Sequence, residues 1–133
     1  DGGRALEPVR PFTYDDGEPF FSPSSIHTFQ RSSRNGRLYW LANIVAGPPA
    51  GNGPRFPLYL AEIDEELAAV RRASLILVDD RSGEDSERLQ LSNFSLLEDR
   101  ATGDFEIYLT RIGQSAEHFW GAGVYRYTFS PPA

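Results

Sequence analysis

The chain has 133 residues, enough for one domain with a real core, and its 40% hydrophobic and 24% charged residues exclude wholesale disorder. A net charge of -6 excludes a general nucleic-acid binder, which needs a basic face, and Cys 0 excludes disulfide scaffolds and thiolate metal sites. No apolar run reaches the length of a membrane span.

Aromatics at 13%, with Gly 12 and Pro 10, favour a β-rich chain over a helical bundle. All thirteen basic residues are Arg, and Met 0 means that no start codon opens the chain. We therefore expect a processed chain or a piece of a larger protein.

In chain order, residues 1–23 read as an irregular entry, with one short edge strand over Leu6–Phe12. Ser24–Gln30 alternates, Asn35-Gly36 is a tight-turn signal, and Arg37–Val45 is rich in strand formers, so these predict a hairpin. Ala46–Pro54 is a Gly/Pro loop, and Phe56–Ile63 is a third strand. Asp64–Arg72 is acidic at its start and basic at its end, which suits one or two helical turns. Ser74–Val78 is a fourth strand, and Asp79–Arg88 is read as a solvated polar loop.

A second group repeats the outline. Leu89–Leu97 is a strand, Glu98–Gly103 a turn, and Asp104–Ile112 alternates cleanly. Gly113–Gly123 is a loop, and Val124–Phe129 is the last strand. Four strands then three, each group an antiparallel unit, is a weak tandem repeat of the β-propeller kind. The expected fold class is all-β, with two antiparallel propeller-type blades, one of four strands and one incomplete. The expected core is Ile26, Leu38, Trp40, Leu58, Leu60, Leu75, Leu77, Phe94, Leu96, Phe105, Ile107, Leu109 and Tyr125.

Three stretches carry a family resemblance: Ser22-Pro23-Ser24-Ser25-Ile26, Gly36–Asn43 and Arg55–Ala61. Together they resemble one blade of the six-bladed sialidase (neuraminidase) propeller, and Ser92–Leu97 with Gly103–Thr110 resembles the last blade. The likeness covers roughly 22–129. It lies in order and spacing, since the Ser-x-Asp-x-Gly-x-x-Trp repeat of many sialidases is missing. It implies a single unit over 1–133, a fifth blade over 22–79, a last blade over 89–129, and an outer strand of a preceding blade over 1–12. It also implies a secreted or periplasmic setting and a place in the C-terminal third of a longer chain.

Sialidases bind a substrate carboxylate with three arginines, whose planar forks match it bidentately. By this resemblance Arg55 stands at the third arginine. The family's tyrosine nucleophile falls at Phe94, which has no hydroxyl, and a glutamate that braces an arginine falls near Arg111, a reversal of charge. The substrate-binding candidates are thus Arg55, Arg111 and Phe94, with His118, Phe119 and Trp120 as residues that can line or stack on a sugar. No catalytic residue, cofactor or metal is assigned. His27 and His118 make no zinc pattern, the carboxylates of residues 79–87 miss the EF-hand pattern, and the Asn93-Phe94-Ser95 sequon is read as chance.

The expected function is a partial, glycan-directed sialidase-like propeller of glycoside hydrolase ancestry, inactive as this chain alone. The alternative is a non-catalytic binding or structural module completed by oligomerisation. The expected partners are an acidic or neutral glycan and either the remaining blades or identical chains, with no nucleic acid and no membrane.

Overall fold

The computed structural model describes residue 3 and residues 5–133 and consists of two antiparallel sheets, with no α-helix among the described residues. The first sheet holds β1 (Thr28–Arg31), β2 (Leu38–Asn43), β3 (Leu58–Asp64), β4 (Ala69–Val70) and β5 (Ile76–Asp79). Neighbours run β1-β2-β3, and the far edge of β3 is shared by β4 at Ile63–Asp64 and by β5 at Leu58–Leu60. The second sheet is a meander of β6 (Gln90–Glu98), β7 (Phe105–Ile112) and β8 (Val124–Phe129).

Alternation along the strands explains how the sheets meet. Tyr39, Leu41, Leu58 and Leu60 leave one face of the first sheet and pack against Phe105, Ile107 and Leu109 of β7 in a shared core. The opposite face presents Trp40, Ala42, Ala61, Ile63 and Val70. It is covered by the entry segment, whose Phe12 and Phe20 rings pack against Trp40, with Tyr14 against Phe20. The middle of the first sheet is therefore apolar on both faces, which is why β2 reads as a continuous hydrophobic run. The outer face of the second sheet carries Leu97, Tyr108 and Val124, all exposed, beside a Glu106–Arg126 ion pair.

The β1–β2 turn reaches beyond its own sheet. Gly36 takes φ 73°, a conformation that glycine tolerates best. Around it, Arg34 donates to the carbonyls of Pro131 (3.0 Å) and Thr102 (2.8 Å), and the Asn35 amide donates to that of Pro132 (2.9 Å). The turn thus grips the last residues of the chain and the β6–β7 turn.

Several expectations need correction. Residues 1, 2 and 4 of the proposed 1–12 strand lie outside the described residues, and 5–12 form no strand. Among the described residues, the entry segment makes isolated bridges, such as Tyr14 with Val70, and serves as an apolar cover. Asp64–Arg72 forms no α-helix, and only its last residue joins a short 3-10 turn, Arg72–Ser74. The Asp64 carboxylate accepts the N–H groups of Glu66 and Leu67, Ala68 turns at φ 50°, and Val70 returns to pair with Ile63. A side chain that closes a turn in this way competes with the helix. Ile26, Leu77 and Tyr125 are exposed. Ile26 precedes the true start of β1, Leu77 sits beyond a register shift between β3 and β5, and Tyr125 lies at the edge of the second sheet.

Candidate functional site

Arg55 leaves the Gly/Pro loop and is locked to both sheets through its backbone. Its carbonyl accepts the N–H of Leu91 (2.8 Å) and the side-chain amide of Asn43 (3.1 Å). Asn43 is fully buried and also donates toward Pro57 O (3.1 Å) and Leu91 O (3.2 Å), while its oxygen accepts from the Ser25 hydroxyl. A buried amide must spend its polar atoms, and here they tie β2, the Arg55 segment and β6 together.

The Arg55 guanidinium is held by neutral groups. Nε donates to Asn52 O (2.8 Å), and one terminal nitrogen donates to Gln90 Oε1 and Ser92 Oγ (both 3.3 Å). Arg31, Arg34, Arg37, Arg71, Arg72, Arg111 and Arg126 each pair with a carboxylate. Among the described residues, no carboxylate pairs with Arg55. It lines a cleft of about 210 Å³ with Asn52, Gly53, Pro54, Glu87, Arg88, Leu89, Gln90 and Phe119.

Arg88 forms the facing wall, its guanidinium 4.4 Å from the centre of the Phe119 ring, and it too pairs with no carboxylate among the described residues. Gly113 permits this wall. It takes φ 75°, its N–H donates to Phe119 O (2.9 Å), and a Cβ built on it would fall 2.2 Å from the Arg88 carbonyl oxygen.

The structure brings Arg55 and Phe119 to one cleft and keeps the other candidates apart. Phe94 packs at the margin of the core between the sheets. Arg111 is buried, hydrogen-bonded to Asp79 and, at 2.7 Å, to Asp85. Burial opposes its charge, but the Asp79 bond and the two carboxylates hold its pKa above the ordinary guanidinium value.

The solvated-loop reading of residues 79–88 fails at Asp85, which is 6% exposed. Burial pushes its carboxyl up, yet bonds from Ser82 and Gln114 and the Arg111 charge hold it below the usual carboxylate range. Tyr127 donates to Asp79, and burial together with that bond pushes its phenol up to about 12. A second cleft, of about 530 Å³, opens beside Asp85 and Arg111. His118 and Trp120 stand exposed on the 113–123 loop, with Trp120 81% exposed and edge-on to Phe119 at 4.8 Å. Among the described residues, no group of three or more His, Cys, Asp or Glu is placed to hold a metal ion.

Sequence reasoning missed Arg88, Gln90, Ser92 and Asn43. No local motif marks them. Their roles rest on contacts such as Asn43 with Leu91 and Arg88 with Phe119, which join residues far apart in the chain. Compared with known proteins, the chain matches no family model, no curated protein and no solved structure.

Proposed function

We propose that the chain makes two neighbouring blades of a sialidase-like propeller, in which Arg55 binds the carboxylate of an acidic glycan without hydrolysing it. The observation that carries this is the Arg55 guanidinium itself. It is oriented by neutral acceptors, lacks a carboxylate partner among the described residues, and lines a cleft. A carboxylate entering that cleft gains charge-assisted hydrogen bonds without first displacing a protein anion. A five-stranded sheet, in which β1, β2, β3 and β5 follow one another as in a four-stranded blade, packs face to face on a three-stranded meander, and this supports adjacent blades. Phe94 offers no nucleophile at the position where the family resemblance expects one, so the retaining chemistry has no first step.

The test uses the full 133-residue chain. N-acetylneuraminic acid is titrated in low salt and followed by amide and guanidinium NMR signals, beside a fluorogenic sialoside assay. Saturable shifts at Arg55 that vanish in Arg55→Gln, with no hydrolysis, are expected. Hydrolysis, or shifts unaffected by Arg55→Gln, would overturn the reading.

A second reading rests on the outer face of the second sheet, with Leu97, Tyr108 and Val124 exposed and β8 paired, among the described residues, with β7 alone. Identical chains would cover it. Light scattering showing a stable monomer would sink that version.

A further inference from the structure

We infer that the Arg55 cleft is built for a saccharide with two acidic groups, the second held by Arg88. This rests on the reading of Arg55 as an anion site and adds the class of ligand. Arg55 and Arg88 line one small cleft, and neither pairs with a carboxylate among the described residues. Among the described residues, seven other arginines pair with a carboxylate, while Arg10, Arg81 and Arg100 do not; Arg55 and Arg88 are the two unpaired ones that line a common cleft. Glu87 lines the same cleft and Arg88 is exposed, so the case for a second acid rests on two guanidinium groups without carboxylate partners in one cleft, which a ligand with two acids can meet at once.

The position of Arg88 is built from two directions. Its guanidinium lies over Phe119 in a cation–π contact, and its side-chain N–H groups have no protein acceptor among the described residues. Its backbone is approached so closely by Gly113 that any side chain there would collide with it. The loop carrying Phe119 can therefore seat against Arg88 only with glycine at 113. The stacked guanidinium also covers one face of the Phe119 ring, so that face is closed to a sugar.

The volume, about 210 Å³, is below the roughly 300–1,000 Å³ of common ligand pockets, so it suits one sugar residue or the tip of a longer chain. A single residue with two acids, such as a sulfated uronate, presents both anions within that space. An arginine fork matches carboxylate and sulfate alike. Glu87, exposed at the rim, works against anion entry.

The experiment compares glucuronic acid with sulfated glucuronic acid as probes of the full chain, by NMR titration at low and high salt. Sulfated glucuronic acid is expected to bind about tenfold more tightly, as for one added charge-assisted hydrogen-bonding group. Its affinity should fall more steeply with salt. Arg88→Gln should erase the preference, weakening sulfated glucuronic acid about tenfold more than it weakens glucuronic acid. Arg88→Lys should keep part of the preference, and Glu87→Gln should tighten both probes. Equal affinities in the wild type, or a preference that survives Arg88→Gln, would overturn the inference and leave the Arg55 reading standing if Arg55→Gln still weakens both probes. Binding of neither probe would overturn the inference, and failure of N-acetylneuraminic acid to bind as well, or insensitivity of binding to Arg55→Gln, would defeat both. Both arginines lie at the surface of the cleft, and amide spectra of the free variants check that the fold is kept.

Discussion

Replacing Asn43 by alanine should unfold the protein at distinctly lower denaturant, because this one amide links three segments. Its NH₂ group is shared among the carbonyls of Arg55, Pro57 and Leu91, and its oxygen takes the Ser25 hydroxyl. The Arg55 carbonyl keeps the Leu91 N–H as a second partner, so the loss falls on Pro57, Leu91 and Ser25. Each net hydrogen bond contributes about 1 kcal/mol, and a buried carbonyl left dry costs about 1–3 kcal/mol. A loss of about 2–4 kcal/mol follows. With a urea slope of about 2 kcal/mol per M, the midpoint should fall by about 1–2 M. Trp40, buried between the first sheet and the entry segment, reports the transition by fluorescence, with Trp120→Phe as background to remove the exposed indole. Asn43→Asp keeps the shape, removes both donors and aims a carboxylate at three carbonyl oxygens, so it should be worse than alanine. A midpoint within about 0.3 M of wild type for Asn43→Ala, or a milder effect for Asn43→Asp, would refute the reasoning.

Gly113→Ala should release the 113–123 loop, since its Cβ would fall 2.2 Å from the Arg88 carbonyl oxygen at a φ of 75°. Faster protease nicking within that loop checks it. Asp85 is held below the usual carboxylate range, so it adds stability that is present above its unfolded pKa and lost as pH falls through the folded value. Asp85→Asn should therefore flatten the acid limb of a stability–pH profile below about pH 4. Tyr127 has the opposite sign of linkage. Its phenol rises from 10.0 to about 12, so its contribution is whole below pH 10 and disappears as pH climbs through about 12. Tyr127→Phe should flatten the alkaline limb, and ultraviolet titration of tyrosinate should lose its last-ionising phenol.

The regular part of this fold was legible because its signals are local. Gly36 after Asn35 marks a turn, and the alternation of Phe105, Ile107 and Leu109 marks a half-buried strand whose apolar side faces the other sheet. Where the reading failed, a distant partner decided. The acidic start of Asp64–Arg72 suits a helix, but the return of Val70 to Ile63 and to the entry segment wins. Phe12 ends the expected edge strand, yet with Phe20 it serves as a cover for Trp40. At the candidate site Arg55 was singled out by the family resemblance, while its neighbour Arg88 in the cleft was not. Nothing within a few residues of Arg88 announces Phe119. The same limit hid Asp85, whose partner Arg111 lies 26 residues on.

The grip of the β1–β2 turn on the chain terminus has a kinetic consequence. Arg34 reaches Pro131, and Asn35 reaches Pro132, each across 97 residues of sequence. Closing so long a loop costs entropy before any contact repays it, so these bonds should form after the sheets have condensed. A bond absent from the transition state acts on the rate of escape from the native state and leaves the rate of arrival unchanged. Arg34→Ala should accordingly shorten the lifetime of the folded molecule in stopped-flow unfolding while its refolding limb overlays that of the wild type. The turn is a latch on persistence, set after the fold is made.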